Sequence, residues 1–139
     1  MPRPDPEILN PANYPYKVDV PTRFTDLNVA QHVSNTALVQ MIEDARARFL
    51  IQYGAEFSGE NVLMVVTNKV DYLAECFWPA PVEIYVKVSK VGNSSFELYQ
   101  LAVQEGKAVG LSTLTMVNVV GGRASALTEK LKANLQELI

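Results

Sequence analysis

Residues 23–54 read RFTDLNVAQHVSNTALVQMIEDARARFLIQYG. Within them Ala37, Leu38, Met41, Ile42, Ala45, Phe49 and Leu50 recur at the i, i+3, i+4 spacing that gathers apolar side chains on one face of a helix. Ser34 or Asn35 offers an N-cap oxygen for the unpaired N–H groups of a first turn, and Gly54 supplies a stop just after Tyr53. One long helix with an apolar face is therefore predicted, and it needs a surface to bury that face against. The rest of the chain supplies a sheet. Val62 to Tyr72, Val82 to Val91, Ser95 to Val103 and Lys107 to Val120 are strand-like, separated by the turn signals Gly92-Asn93, Glu105-Gly106 and Gly121-Gly122. Upstream, Val18 and Val20 alternate with polar neighbours in a strand predicted over Lys17 to Phe24 and ended near Pro21, and Thr25 to Val33 reads as a loop. Thr128 caps a short terminal helix with Leu131, Leu135 and Leu138 on its apolar side. The order strand, long helix, antiparallel meander is that of an α+β domain.

With 139 residues, 48% of them hydrophobic and 19% charged, the chain suits one packed domain and neither a disordered nor a fibrous protein. Pro2, Pro4, Pro6, Pro11 and Pro15 keep residues 1–16 out of a long helix, so this lead is expected along the surface, with the domain proper over 17–139. Twelve basic against 15 acidic residues, with no basic cluster, argue against a nucleic-acid partner. The single cysteine, Cys76, excludes an intramolecular disulfide, and with one histidine no Cys/His set reaches the ligand count of a zinc site; no metal and no cofactor are expected. No signal peptide or membrane span is read, which makes a cytoplasmic protein the expectation. On the last long strand Val109, Leu111, Val117 and Val119 share one face while Leu114, Met116 and Val120 share the other. One helix covers only one face, so a partner subunit is expected on the second, in a homodimer or homotetramer.

The loop before the helix carries a resemblance. Asp26-Leu27-Asn28, then Val29-Ala30-Gln31, then His32-Val33-Ser34-Asn35 is similar to the segment Asp-Leu-Asp, three residues, His-Val-Asn-Asn that opens the long helix of the hotdog-fold thioesterases. Tyr72-Leu73-Ala74-Glu75-Cys76, Pro79 and Gly92-Asn93-Ser94-Ser95 also resemble that family, particularly its acyl-CoA and plant acyl-carrier-protein branches, over roughly Val18 to Val120. The resemblance implies a hotdog fold, a long central helix wrapped by an antiparallel sheet, and an enzyme that hydrolyses an acyl or aroyl thioester of coenzyme A or acyl carrier protein. In the family the second acid of Asp-Leu-Asp is commonly catalytic; Asn28 stands there, and an amide neither accepts a proton nor attacks a thioester usefully. The plant-type Asn falls on Ala30, whereas its His and Glu fall on His32 and Glu75.

The candidate catalytic residues are thus His32, Glu75 and Asn28. An imidazole suits proton transfer near neutral pH, and Glu75 can orient it or act as base. Ser34, Asn35 and Thr36 at the helix start offer N–H groups and the positive end of the helix dipole to a thioester carbonyl, and Ser94 and Ser95 are candidate contacts for the coenzyme A arm. Each residue also has a plainer role open to it: Asp26 and Asn28 as turn-forming residues, Cys76 as a small buried apolar residue and not a nucleophile, and Glu43, Asp44, Arg46 and Arg48 as a solvated or subunit-facing helix side with i,i+3 and i,i+4 pairs. An enoyl-thioester hydratase is a second functional class, disfavoured because its signature needs His five residues after Asp, whereas His32 follows Asp26 by six. A non-catalytic acyl-thioester-binding protein is the third, motivated by Asn28 and Ala30.

Overall fold

The long helix α1 spans Asn35–Gln52. Ser34 caps it, accepting the Ala37 N–H on its hydroxyl oxygen at 3.1 Å, and Gly54 turns the chain away at φ 100°, a left-handed conformation that favours glycine. In the computed structural model, which describes residues 3–57 and 59–139, the strands are β1 (Tyr16–Val20), β2 (Val62–Tyr72), β3 (Val82–Val91), β4 (Ser95–Gln104), β5 (Lys107–Val120) and β6 (Arg123–Ala124), followed by α2 (Glu129–Gln136). They form one antiparallel sheet in the order β1-β3-β4-β5-β2, with β6 folded back on β5. A long helix packed on one face of this sheet is the hotdog arrangement expected from the sequence. Among the described residues no helix is long and apolar enough to cross a membrane.

The helix-facing rows of the sheet follow the pairing register: Phe96 with Met116, Leu98 with Leu114, Gln100 with Ser112, Ala102 with Gly110. Phe49, Leu50, Val86, Leu98 and Leu114 are fully enclosed between α1, the sheet and α2. At the other end α1 comes down directly on β5: a Cβ placed on Gly110 would stand 3.1 Å from Leu38 Cδ2. The missing side chain admits the helix at that point. Asn134 of α2 donates to the Tyr53 carbonyl at 2.8 Å and so ties the terminal helix to the end of α1.

β1 ends at Val20, next to Pro21, where the strand was expected to stop because proline has no N–H to donate, and Phe24–Asp26 then form a 3-10 turn. Two features depart from the sequence expectation. The outer sheet face, assigned to a partner subunit, is covered at one end by the chain itself. Tyr14 of the lead is buried there against Leu101, Val103 and Leu111, its hydroxyl donates to the Ile8 carbonyl at 2.7 Å, and Pro11–Asn13 make a single 3-10 turn capped by Asn10. Val117 and Val119 on that face stay partly exposed. Finally, Arg46 is not on a solvated side; it is 7% exposed and lies under α1, where Nη1 donates to Gln100 Oε1 at 3.0 Å. Asp44 and Arg48 do form the expected i,i+4 pair, at 2.8 Å.

Because Leu38 has no room to retreat while α1 is held by Phe49 and Leu50, Gly110→Val should overpack this contact and lower stability by about 1–3 kcal/mol. Urea unfolding checks this, and an unchanged midpoint would show that the helix can lift off β5 freely.

Candidate active site

Residues 26–34 form a loop closed on itself. The Asp26 carboxylate accepts the Arg23 backbone N–H at 2.8 Å on Oδ2, and Arg23 Nε and Nη2 at 3.2 and 2.9 Å on Oδ1, while its carbonyl accepts the Ser34 N–H at 2.9 Å. Burial works against the charged carboxylate, but the Arg23 hydrogen bonds outweigh it and hold Asp26 below the usual carboxylate range. Asn28 accepts Ala30 N–H and His32 N–H on Oδ1 at 3.0 and 3.2 Å, and its own N–H donates to the His32 carbonyl at 2.8 Å. The amide at position 28 therefore shapes the turn that presents His32, an Asx-type role. Val33 donates to the Cys76 carbonyl at 2.8 Å, which stitches this loop to the segment between β2 and β3.

That second segment carries Glu75 and is held from below by Gln104 of β4. The buried Gln104 amide accepts Phe77 N–H at 2.8 Å and donates to the Phe77 and Ala80 carbonyls at 2.7 and 2.9 Å. The two loops bring His32 Nδ1 to 3.4 Å from Glu75 Oε1, and Phe77 meets the imidazole edge-on with ring centroids 5.1 Å apart. Both side chains line a cavity of about 390 Å³ at the start of α1, together with Asn28, Asn35, Leu38 and Tyr72.

The candidate residues are only partly gathered. Asn35 lines the cavity, whereas Ser34 commits its hydroxyl oxygen to capping and Thr36 lies exposed on the first turn. The backbone N–H groups of Asn35 and Thr36 have no acceptor among the described residues. Ser94 and Ser95 are elsewhere: Ser95 pairs with Val117, whereas the cavity wall residue Tyr72 pairs with Gly110, seven residues back along β5 and about 23 Å away at strand rise. Within one chain they do not reach the cavity. Tyr72 and Gln104 were not singled out as site residues from the sequence; Gln104 looks there like a polar strand end, and only its pairing with a loop 24 to 27 residues away reveals its part. Cys76 is buried behind Glu75, and burial pushes its thiol up to about 11, offset in part by the Phe77 N–H. It stays a protonated thiol near neutral pH and is a poor nucleophile.

Chemically, the cavity joins an imidazole beside a carboxylate to unpaired N–H groups at a positive helix end. Such a combination can accept a proton from water and steady charge developing on a carbonyl oxygen.

Two consequences are measurable. The Asp26 carboxylate, held low, stabilises the fold at pH values above the ordinary carboxylate pKa of about 4, and this contribution fades as pH falls through the lowered value. Asp26→Asn should therefore cost about 1–3 kcal/mol near neutral pH, with the difference from wild type shrinking in acid; a pH-independent difference in denaturant midpoint would contradict the charged role. Iodoacetamide at mildly alkaline pH should leave Cys76 unmodified in the folded protein and alkylate it rapidly after unfolding, and rapid labelling of the folded form would place the thiol in solvent.

The thioesterase-like superfamily model matches residues 22–135. The chain is 28% identical over 120 residues to protein YsmA of Bacillus subtilis strain 168, an alignment spanning 84% of this chain and 82% of that protein. Among solved structures, the PA5185 protein of Pseudomonas aeruginosa strain PAO1 superposes with a TM-score of 0.84 at 26% identity, over 91% of this chain and 93% of that one. A thioesterase of Thermus thermophilus complexed with coenzyme A and zinc superposes with a TM-score of 0.81 at 27% identity, over 91% and 95% of the two chains. The matched region takes in both loops of the cavity and the whole of α1, and the chain belongs to the thioesterase-like superfamily.

Proposed function

We propose that this protein hydrolyses an acyl or aroyl thioester at the start of α1, and the observation that carries this function is the His32–Glu75 pair in one cavity with Asn35, the first residue of a helix whose opening N–H groups have no acceptor among the described residues. The thioester carbonyl oxygen faces those N–H groups. Neutral His32 takes a proton from a water molecule as its oxygen bonds to the carbonyl carbon, and Glu75 steadies the imidazolium that results. The tetrahedral intermediate then collapses, the carbon–sulfur bond breaks, and the imidazolium returns its proton to the departing thiolate. No carboxylate at position 28 is used; Asn28 holds the His32 backbone instead. Coenzyme A is the favoured carrier over acyl carrier protein, since the Thermus thermophilus relative is a complex with coenzyme A.

The acyl group is held between two copies of the chain. β2 pairs with β5 on one side only, and it presents Val62, Met64, Val65, Val66 and Tyr72 to solvent, an open apolar edge of the kind that recruits a second strand. A homodimer joined there, or a homotetramer built from it, closes the cavity. A cytoplasmic, reducing setting fits the single free Cys76.

Release of free thiol from acyl-CoA and acyl-carrier-protein thioesters of varied chain length tests this function. Turnover well above the uncatalysed rate is expected, with His32→Ala and Glu75→Gln each lowering kcat by roughly 100- to 10,000-fold. Variants within about twofold of wild type would remove both residues from the chemistry. Asn28→Asp should lower thiol release near neutral pH, because the added negative charge favours the protonated imidazole, which cannot accept a proton; a rise would instead mean that a carboxylate at 28 is the missing base. Saturable binding without thiol release supports the non-catalytic binding protein, the reading that Asn28 and Ala30 favour, and hydration of crotonyl-CoA supports the hydratase. In sedimentation, wild type should run as a dimer or larger at micromolar concentration and Val66→Lys should shift it toward monomer; a wild-type monomer would remove the shared site.

A further inference from the structure

Phe77, Trp78 and Pro79 follow the buried Cys76 and are exposed, Phe77 by 47%. Burial does little to hold such a segment, yet two buried polar side chains direct their hydrogen bonds at it. The Gln104 amide accepts the Phe77 N–H on Oε1 at 2.8 Å and donates from Nε2 to the Phe77 carbonyl at 2.7 Å. That exchange is the one by which a neighbouring strand grips a residue. Nε2 also donates to the Ala80 carbonyl at 2.9 Å, and the buried Thr22 hydroxyl donates to the same carbonyl at 3.0 Å.

What this clamp holds in place is the Phe77 ring against His32. The two rings stand 5.1 Å apart between centroids at an interplanar angle of 84°, an edge-to-face contact. On the imidazole itself, Nδ1 faces Glu75 Oε1 at 3.4 Å. The Glu75 side chain is 65% exposed, and so open a pair orients an imidazole weakly. The Asn28 side chain fixes the His32 backbone N–H but not the ring, whose half-turn about the Cβ–Cγ bond would set carbon Cδ2 where Nδ1 stands. A ring packed against the imidazole supplies the missing restraint. With Nδ1 turned to the carboxylate, the proton of the neutral imidazole belongs on Nδ1 and Nε2 is left as the base.

We propose that Phe77 is a positioning residue: fixed through its backbone by Gln104, its ring holds the His32 imidazole with Nδ1 toward Glu75, so that Nε2 is the nitrogen that takes the proton from water. The inference rests on the thioesterase function proposed above. Phe77 is not among the residues that line the cavity, and it acts through His32.

The chain holds a single histidine, so two-bond proton to nitrogen-15 correlations read its tautomer without overlap, in mildly alkaline buffer where an ordinary imidazole is neutral. Wild type should carry the proton on Nδ1. Phe77→Leu, which stays apolar but loses the ring, and Gln104→Met, which loses the amide at similar length, should both mix the tautomers and lower kcat for thiol release about 10- to 100-fold, with KM within about twofold. Phe77→Tyr, which keeps the ring, should match wild type in both readouts. A wild-type proton on Nε2 would overturn the proposal whether or not any thioester is cleaved. So would Phe77→Leu with its proton still on Nδ1: an unchanged kcat would then make the ring idle, and a lowered one would mean that Phe77 meets the substrate itself. Mixed tautomers with an unchanged kcat would also overturn it, since the reaction would be indifferent to how the imidazole is held. Should Gln104→Met fail to fold, Phe77→Leu decides alone. If wild type cleaves no thioester while Phe77→Leu mixes the tautomers, hydrolysis fails and the orientation of His32 by Phe77 stands.

Discussion

Leu38 resting on Gly110 sets the position of everything that follows. The contact exists because β5 lacks a side chain at that row, and it brings the first turns of α1 against the end of the sheet where β2 gives way to its loop. Burial of Phe49, Leu50 and their partners fixes the other end of the helix, so α1 is held near both of its ends. A helix start held in this way keeps its unpaired N–H groups in one place, which is what electrostatic catalysis requires of donors.

The residues of the proposed chemistry sit on two loops that are tied down by different hydrogen bonds. The loop at residues 26–34 is held by short-range hydrogen bonds, from the Arg23 N–H to the Asp26 carboxylate and from the His32 N–H to the Asn28 side chain. The segment with Glu75 is held from the sheet by Gln104 and across to the first loop by the Val33 to Cys76 bond. Substituting amide for acid at position 28 fits this division of labour. An Asn accepts the same backbone N–H groups without placing a charge next to the imidazole, leaving Glu75 on the opposite loop as the acid paired with His32.

Periodic features were legible in the sequence, and long-range polar ones were not. The spacing from Ala37 to Leu50 and the turn signals at Gly92, Gly106 and Gly121 locate α1 and the meander to within a residue or two, because burial on one face of a helix or strand leaves a repeating mark. Arg46 was misplaced because charge in a helix next to Glu43, Asp44 and Arg48 resembles a solvated face; the residue that accounts for its burial, Gln100, is 54 positions away. The covering of the outer sheet face by Tyr14 was hidden for a similar reason, since prolines in the lead mark the absence of a long helix and say nothing of where an aromatic side chain will dock. His32 and Glu75 could be paired only through resemblance to a family, as nothing local links a loop before α1 to one after β2. The same resemblance pointed to Ser94 and Ser95, which within one chain stand at the far end of the sheet.

The proposed hydrolysis activates water with His32 and Glu75 and forms no covalent acyl-enzyme. A single turnover in water enriched in oxygen-18, with enzyme in excess over thioester, tests it most directly. Direct attack by water predicts a released acid carrying one heavy oxygen from the first turnover. Released acid without the label, its new oxygen taken from a protein carboxylate, would show Glu75 or Asp26 acting as nucleophile and would contradict the mechanism.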